Sequence, residues 1–209
     1  MITEVYFMRH SRILNVSNED SNDNLQLKNE KSILSIEGEE LAKTISGIEE
    51  FKNLDIVISS NYVRAMSTAK YFIRDKNLIV IDEFGERVHG VNFYKELPVN
   101  FEMNQFNDFN YKMDNGESLN EVREREYMSL LNILNNHKFR KVLIVGHSTA
   151  FTALLTKWCN VTYDSGYYFN DKKFFDGKWQ CCTTFKLLFD DDNKLIDINY
   201  LDINEFLNK

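Results

Sequence analysis

At 209 residues, with 43% apolar and 27% charged side chains, the chain is long enough to bury one sizeable core and has the composition of an ordinary globular enzyme. Its formal net charge of -7 excludes a general nucleic-acid binder, yet leaves room for a few arginines to converge on an anion. No apolar run reaches the length of a bilayer span, and Met1-Ile2-Thr3-Glu4 lacks the basic start and apolar stretch of a signal peptide, so a cytoplasmic protein with no membrane contact is expected.

Ile2 to Met8 reads as a short buried strand, and the polar stretch Ser17 to Asn29 as a surface loop. A helix is predicted from about Glu37 to Phe51, with Leu41, Ile45 and Ile48 on one face. Asp55 to Ile58 is a compact strand, followed by a helix from about Tyr62 to Arg74 and a strand from Leu78 to Ile81. The stretch from Phe84 to Asn115 is irregular, aromatic-rich and holds the only proline, Pro98; it reads as an insertion over one end of the sheet. Gly116-Glu117-Ser118 opens a long helix to about Asn136, with Ser118 and Glu121 spaced as a capping box. Lys141 to Val145 is the next strand, and a helix runs from about Thr149 to Trp158. Thr183 to Phe189 and Leu195 to Leu201 flank the turn Asp190-Asp191-Asp192-Asn193, a hairpin that predicts at least one antiparallel pairing. Strands alternating with helices give an α/β layered fold, and no linker or repeat divides the chain.

Two of the four histidines follow apolar strands directly, in Val5-Tyr6-Phe7-Met8-Arg9-His10-Ser11 and in Val142-Leu143-Ile144-Val145-Gly146-His147-Ser148. The exit edge of an open α/β sheet is where active sites collect. A neutral imidazole held there can attack phosphorus, and the doubly charged group it receives calls for fixed positive donors. Arginine suits that task because its planar fork grips two phosphate oxygens. Arg9 adjoins His10, and Arg64 follows the strand Asp55 to Ile58; His147 and N–H groups at the next helix start supply further contacts. A carboxyl group in the intervening loop would protonate the leaving alkoxide. Cys159, Cys181 and Cys182 are odd in number and form no C-x-x-C pair, and H-E-x-x-H is absent, so free thiols and no metal site are expected.

The segments Arg9-His10-Ser11, Arg64-Ala65-Met66-Ser67-Thr68-Ala69, Glu86-Arg87-Val88-His89-Gly90 and Gly146-His147-Ser148 together resemble the histidine phosphatase superfamily, the clan that includes the cofactor-dependent phosphoglycerate mutases. Leu34-Ser35-Ile36-Glu37-Gly38 is similar to the family's Leu-Thr-x-x-Gly, and Gly116-Glu117-Ser118 with Arg125 to its Gly-Glu-Ser helix start. The resemblance covers nearly the whole chain, in the family's order. It implies a three-layer α/β/α sandwich with a mostly parallel central sheet, phosphoglycerate mutase-like, over residues 1–209, with the insertion around 84–115 as a lid. It implies that His10 is the nucleophile that becomes phosphohistidine, and that Arg9, Arg64 and His147 bind the phosphoryl group. Ser11 and Ser148 join the phosphate site. Glu86 is the general acid, with Glu83, three residues earlier, as its alternative. Neither a cofactor nor a metal is implied.

Two departures stand out: Ser11 and Ser148 replace the glycines of the family's Arg-His-Gly and His-Gly. Serine keeps the backbone N–H, so phosphate contacts survive wherever the position does not require positive φ. Arg12 also stands where the family favours Glu, which bears on the substrate-side loop. The expectation is a metal-independent phosphatase acting on a small phosphorylated substrate, with no nucleic-acid partner. Phosphoglycerate mutase is the alternative, with Arg12, Lys28, Arg87 and Lys95 as its extra basic residues. A degenerate phosphate-binding or regulatory protein is the reading from another class.

Overall fold

Val5 and Phe7 pack into one apolar cluster and Tyr6 and Met8 into another, so the first strand is buried on both faces. A strand in that position reads as an unbroken apolar run rather than an alternating one. The computed structural model describes residues 1–15, 23–162 and 166–203. In it the first strand, β1, spans Thr3–Arg9; β2 is Ile56–Ser59, β3 Leu78–Val80, β4 Lys141–Gly146, β8 Thr184–Phe189 and β9 Leu195–Leu201. These six form one sheet in the order β3-β2-β4-β1-β8-β9. The pairings β3 with β2, β2 with β4 and β4 with β1 are parallel; β8 runs against β1, and β9 against β8. Five of the six strands therefore point the same way, and the expected hairpin is the β8–β9 pair.

Helices cover both faces. On one, α2 (Ile36–Ser46) and α3 (Val63–Ala69) bring Ile45, Ala65 and Ala69 against Tyr6, Met8, Leu143 and Val145. On the other, α5 (Leu119–Asn136) and α6 (Ser148–Leu155) bring Leu130, Ile133, Phe151 and Leu154 against Val5, Phe7, Val142 and Ile144. The Phe7 and Phe151 rings stack with centroids 4.8 Å apart. This is the expected three-layer α/β/α arrangement with a mostly parallel sheet.

Several boundaries differ from expectation. The helix predicted from Glu37 to Phe51 stops at Ser46, and a separate 3-10 turn spans Glu49–Phe51, although Leu41, Ile45 and Ile48 still meet one cluster. The helix predicted from Tyr62 to Arg74 stops at Ala69: Phe72 continues into the core from a turn, and Arg74 takes φ +48°. Part of the predicted loop, residues 17–22, lies outside the described residues. Its remainder forms a helix, α1 (Leu25–Lys31), capped by Asn24 Oδ1 accepting from the Leu27 N–H at 2.9 Å. No residue of α1 is buried, so no apolar stripe announces it. The segment expected to be irregular contains a helix, α4 (Phe101–Asn107). A second sheet of β5 (Asn160–Thr162), β6 (Gly166–Phe169) and β7 (Lys172–Phe175) was not anticipated; it is antiparallel, with Phe175 against Phe185 of β8 at 5.0 Å.

The 84–115 segment is closed at its base. Glu117 N–H donates to the Val88 carbonyl at 2.8 Å, and a Cβ on Gly90, whose φ is +77°, would stand 2.2 Å from Gly116 N. Only glycine permits that approach. Ser118 and Glu121 form the predicted capping box at the start of α5.

Candidate active site

Three adjacent parallel strands, β1, β4 and β2, each deliver one polar residue immediately past their last residue: His10, His147 and Ser60. Ladder bonds set their height. His10 N–H donates to the Gly146 carbonyl at 2.9 Å, and Ser60 N–H to the Val145 carbonyl at 3.0 Å. The two imidazoles thus stand side by side, ring centroids 5.4 Å apart and planes tilted by 56°. His10 is only 8% exposed and His147 is fully buried.

Hydrogen bonds assign the protons. His10 Nδ1 lies 2.8 Å from the carbonyl oxygen of Ser11, which only accepts, so Nδ1 carries the proton and Nε2 keeps its lone pair. Burial, followed by the Arg64 charge, lowers the His10 pKa to about 3; the same causes, with His10, Arg125 and Arg9 adding, hold His147 well below its ordinary value. Both rings are therefore neutral at pH 7, which is the state a nucleophile requires.

Arg64 enters from the first turn of α3. Its Nη2 donates to His147 Nδ1 at 3.1 Å, and its Nη1 donates to the carbonyl of Asn29 on α1. Burial pulls its pKa down, and the charge of Glu86 opposes that shift. Tyr62, the residue before α3, sets its ring edge against His147 at 4.6 Å. Its hydroxyl accepts from Gln26 Nε2 at 2.8 Å and donates to the Glu86 carbonyl at 3.3 Å.

Glu86 is half-buried, and its Oε1 accepts from Arg87 N–H at 2.9 Å. Glu83 is exposed. Both line a groove of about 290 Å³ with Gln26, Tyr62, Glu117 and Arg125. Arg125 holds this loop through three carbonyls, those of Glu83, Gly85 and Glu86, while Glu117 grips its guanidinium at 2.7 and 2.9 Å. The Glu86 charge acts on Arg64 and, with that of Glu30, on Tyr62.

Other expected site residues are placed differently. Arg9 donates from Nη1 to the Trp179 carbonyl at 2.8 Å, and its buried Nε has no partner among the described residues. Ser11 is fully buried, with its N–H on Thr68 Oγ1 at 2.9 Å and its hydroxyl on the Gly38 carbonyl at 2.7 Å. Both polar groups thus join the turn after His10 to α2 and α3 rather than opening toward a ligand. The same approach explains Gly38, where a Cβ would lie 2.1 Å from the Arg12 carbonyl. Ser148 opens α6 and faces a cavity of about 430 Å³ shared with Arg87, Glu102, Phe106 and Trp179. Neither Ser11 nor Ser148 has positive φ, so serine is unstrained at both glycine positions. Arg87, expected among the extra basic residues, is buried and tied to Gln105 Oε1 at 2.5 Å and Glu102 at 2.6 Å. His89 adjoins that pair, 3.2 Å from Arg87 Nη2.

The sequence reading passed over Ser60 and Tyr62. The signal available for Ser60 was its place, directly after a strand that ends level with the two histidine strands.

A family model described as the histidine phosphatase superfamily (branch 1) matches residues 5–172. No curated protein matches the chain. Among solved structures, a phosphoserine phosphatase variant from Entamoeba histolytica in complex with phosphoserine aligns at 16% identity with a TM-score of 0.64, covering 94% of this chain and 96% of that one. A mycobacterial glucosyl-3-phosphoglycerate phosphatase aligns at 15% with a TM-score of 0.67, covering 96% and 97%. An alpha-ribazole-5'-P phosphatase from Escherichia coli, putative in its description, aligns at 16% with a TM-score of 0.65, covering 94% and 96%. At these identities the likeness is one of fold.

Proposed function

Because the chain belongs to the histidine phosphatase superfamily, branch 1, we propose that it hydrolyses a small phosphomonoester through a phosphohistidine on His10. The observation that carries this reading is the lone pair on His10 Nε2, fixed by the Nδ1 bond to Ser11 and standing beside His147 and Arg64. Nε2 attacks phosphorus as the ester P–O bond breaks, and Glu86 gives its proton to the departing alkoxide. Glu86 then takes a proton from water, whose oxygen attacks phosphorus. The P–N bond breaks, inorganic phosphate leaves, and His10 regains its neutral form. Arg64 and Arg9, whose charges both act on His10, supply positive charge around the transferring group, and neutral His147 holds the Arg64 guanidinium beside it.

Water is the acceptor in this reading. A mutase must retain a bisphosphate against hydrolysis, which calls for spare cationic groups, and the Arg87 guanidinium is committed to Glu102 and Gln105. The similar structures bear the names of three different phosphate esters, so the alcohol is left as a class. The free thiols of Cys159, Cys181 and Cys182 suit a cytoplasmic setting. No helix among the described residues is long and apolar enough to cross a membrane.

The test is hydrolysis of p-nitrophenyl phosphate and a panel of natural phosphomonoesters between pH 5 and 8 with a chelator present. Activity that survives the chelator and is absent from His10→Ala is expected, together with an acid-labile, base-stable phosphoryl label. Isomerisation of 2- and 3-phosphoglycerate stimulated by the bisphosphate would replace this reading with the mutase one.

A further inference from the structure

Ser60 has no part in the mechanism above, yet its Oγ lies 2.8 Å from His147 Nε2 and both residues are fully buried. The direction of this bond follows from the other side of the ring. Nδ1 of His147 faces a guanidinium nitrogen of Arg64 at 3.1 Å, and a guanidinium has donors only. Nδ1 must therefore present its lone pair. A neutral imidazole has a single N–H, which stands on Nε2 and donates to the serine oxygen. An imidazolium would thrust a second N–H into Arg64. Tyr62 N–H also approaches the Ser60 oxygen at 3.4 Å, and the Tyr62 ring closes a third side of the imidazole.

We propose that Ser60 is a positioning residue for phosphoryl transfer, the acceptor that fixes the neutral ring of His147 beside His10 with its Nδ1 lone pair turned to the Arg64 guanidinium. The inference rests on the phosphatase reading for its kinetic consequence, not for the bond itself. Arg64 alone selects which nitrogen is bare; it does not give the buried N–H a partner. Without Ser60 that N–H is orphaned, and the ring turns to find another acceptor. A turned ring withdraws the Nδ1 lone pair that holds the Arg64 guanidinium, and the loss falls mainly on the transition state, where charge on the equatorial oxygens is largest.

The experiment compares wild type, Ser60→Ala and Ser60→Thr, with Ser60→Cys as a volume-matched weak acceptor should the alanine variant not fold. In Ser60→Ala, kcat is expected to fall about tenfold to a hundredfold with KM within about threefold, and Thr, which keeps the oxygen, to recover most of it. Unchanged kcat in a folded Ser60→Ala or Ser60→Cys protein overturns the proposal. A second readout needs no turnover: nitrogen-15 NMR of labelled histidine should show His147 protonated on Nε2 in wild type, with that resonance displaced in Ser60→Ala. A proton on Nδ1 in wild type overturns the proposal whatever the kinetics. Wild type that is inactive on every phosphomonoester but keeps the Nε2–H signature removes the phosphatase reading and leaves the hold of Ser60 on His147 standing.

Discussion

At the tips of β1, β2 and β4, His10, Ser60 and His147 take their places from the backbone: each is the first residue past a parallel strand, and ladder bonds to the neighbouring strand set the height of His10 and Ser60. In the 84–115 segment the polar residues are held by one another. Arg87 is tied to Glu102 and Gln105, Gln105 to the Tyr111 and Glu117 carbonyls, and Arg125 to three carbonyls of the loop that carries Glu86. The difference is one of what a substitution disturbs. A strand tip loses one functional group and keeps its frame; the segment loses a tether and shifts as a body. The proposed nucleophile thus depends on the sheet, and the proposed acid Glu86 on the side chains that hold its loop.

The largest effect is expected from His10→Ala, which should abolish turnover by more than about a thousandfold and leave no trapped label. Residual phosphorylation of that variant, read by acid and base lability, would move the nucleophile elsewhere. Next comes Arg64→Met, with kcat expected to fall about a hundredfold to a thousandfold as a charged donor is lost. Arg87→Leu tests the other region: KM should rise about tenfold with kcat little changed, and stability should drop by about 1–3 kcal/mol as buried Gln105 loses its donor. If Arg87→Leu lowered kcat as far as Arg64→Met, the contrast between the two regions would fail.

Two smaller expectations concern pH. His10 is held neutral, with its pKa lowered from 6.5 to about 3. The unfolded chain therefore takes up that proton first, so the stability is fully present above pH 6.5 and declines as pH falls toward 3. The slope is about 1.4 kcal/mol per pH unit for each such histidine, His147 included. Urea midpoints at pH 7 and pH 5 measure it. Glu126 on α5 works in the opposite sense. It is fully buried, neither carboxyl oxygen has a partner among the described residues, and burial raises its pKa well above the usual value. The folded state keeps that proton, so Glu126 lowers stability as pH rises above about 4.5. Glu126→Gln should accordingly stabilise the protein at pH 8 and change it little at pH 4.5; equal effects at both would show that the carboxyl is charged when folded.

The parts of this molecule that sequence reading reached are those whose burial writes a pattern. Val5 to Met8 and Val142 to Val145 are covered on both faces and read as unbroken apolar runs ending in histidine. Helix α1 wrote nothing, because none of its residues is buried and it depends on a cap and on Arg64. Strands β5 to β7 are three or four residues long, too short for a period to show. The end of α3 was overrun because Tyr71, Phe72 and Ile73 are apolar for the core's sake rather than a helix's. Ser60 escaped for another reason: a serine after a strand is commonplace, and its partner lies 87 residues away. Ser11 was legible as a residue and not as a role, since only the packed structure shows its hydroxyl on Gly38.

Helix α1 has a consequence beyond its place in the fold. With His147 on one nitrogen and the Asn29 carbonyl on the other, the Arg64 fork is held in a single rotamer while three of its five N–H groups stay uncommitted by these two bonds. A free arginine side chain carries about 2 kcal/mol of rotamer entropy. Here that disorder is already gone in the folded state, so ordering it is a cost of folding rather than of binding an anion. At about 1.4 kcal/mol per decade, the difference is worth roughly thirtyfold in affinity for whatever the arginine grips.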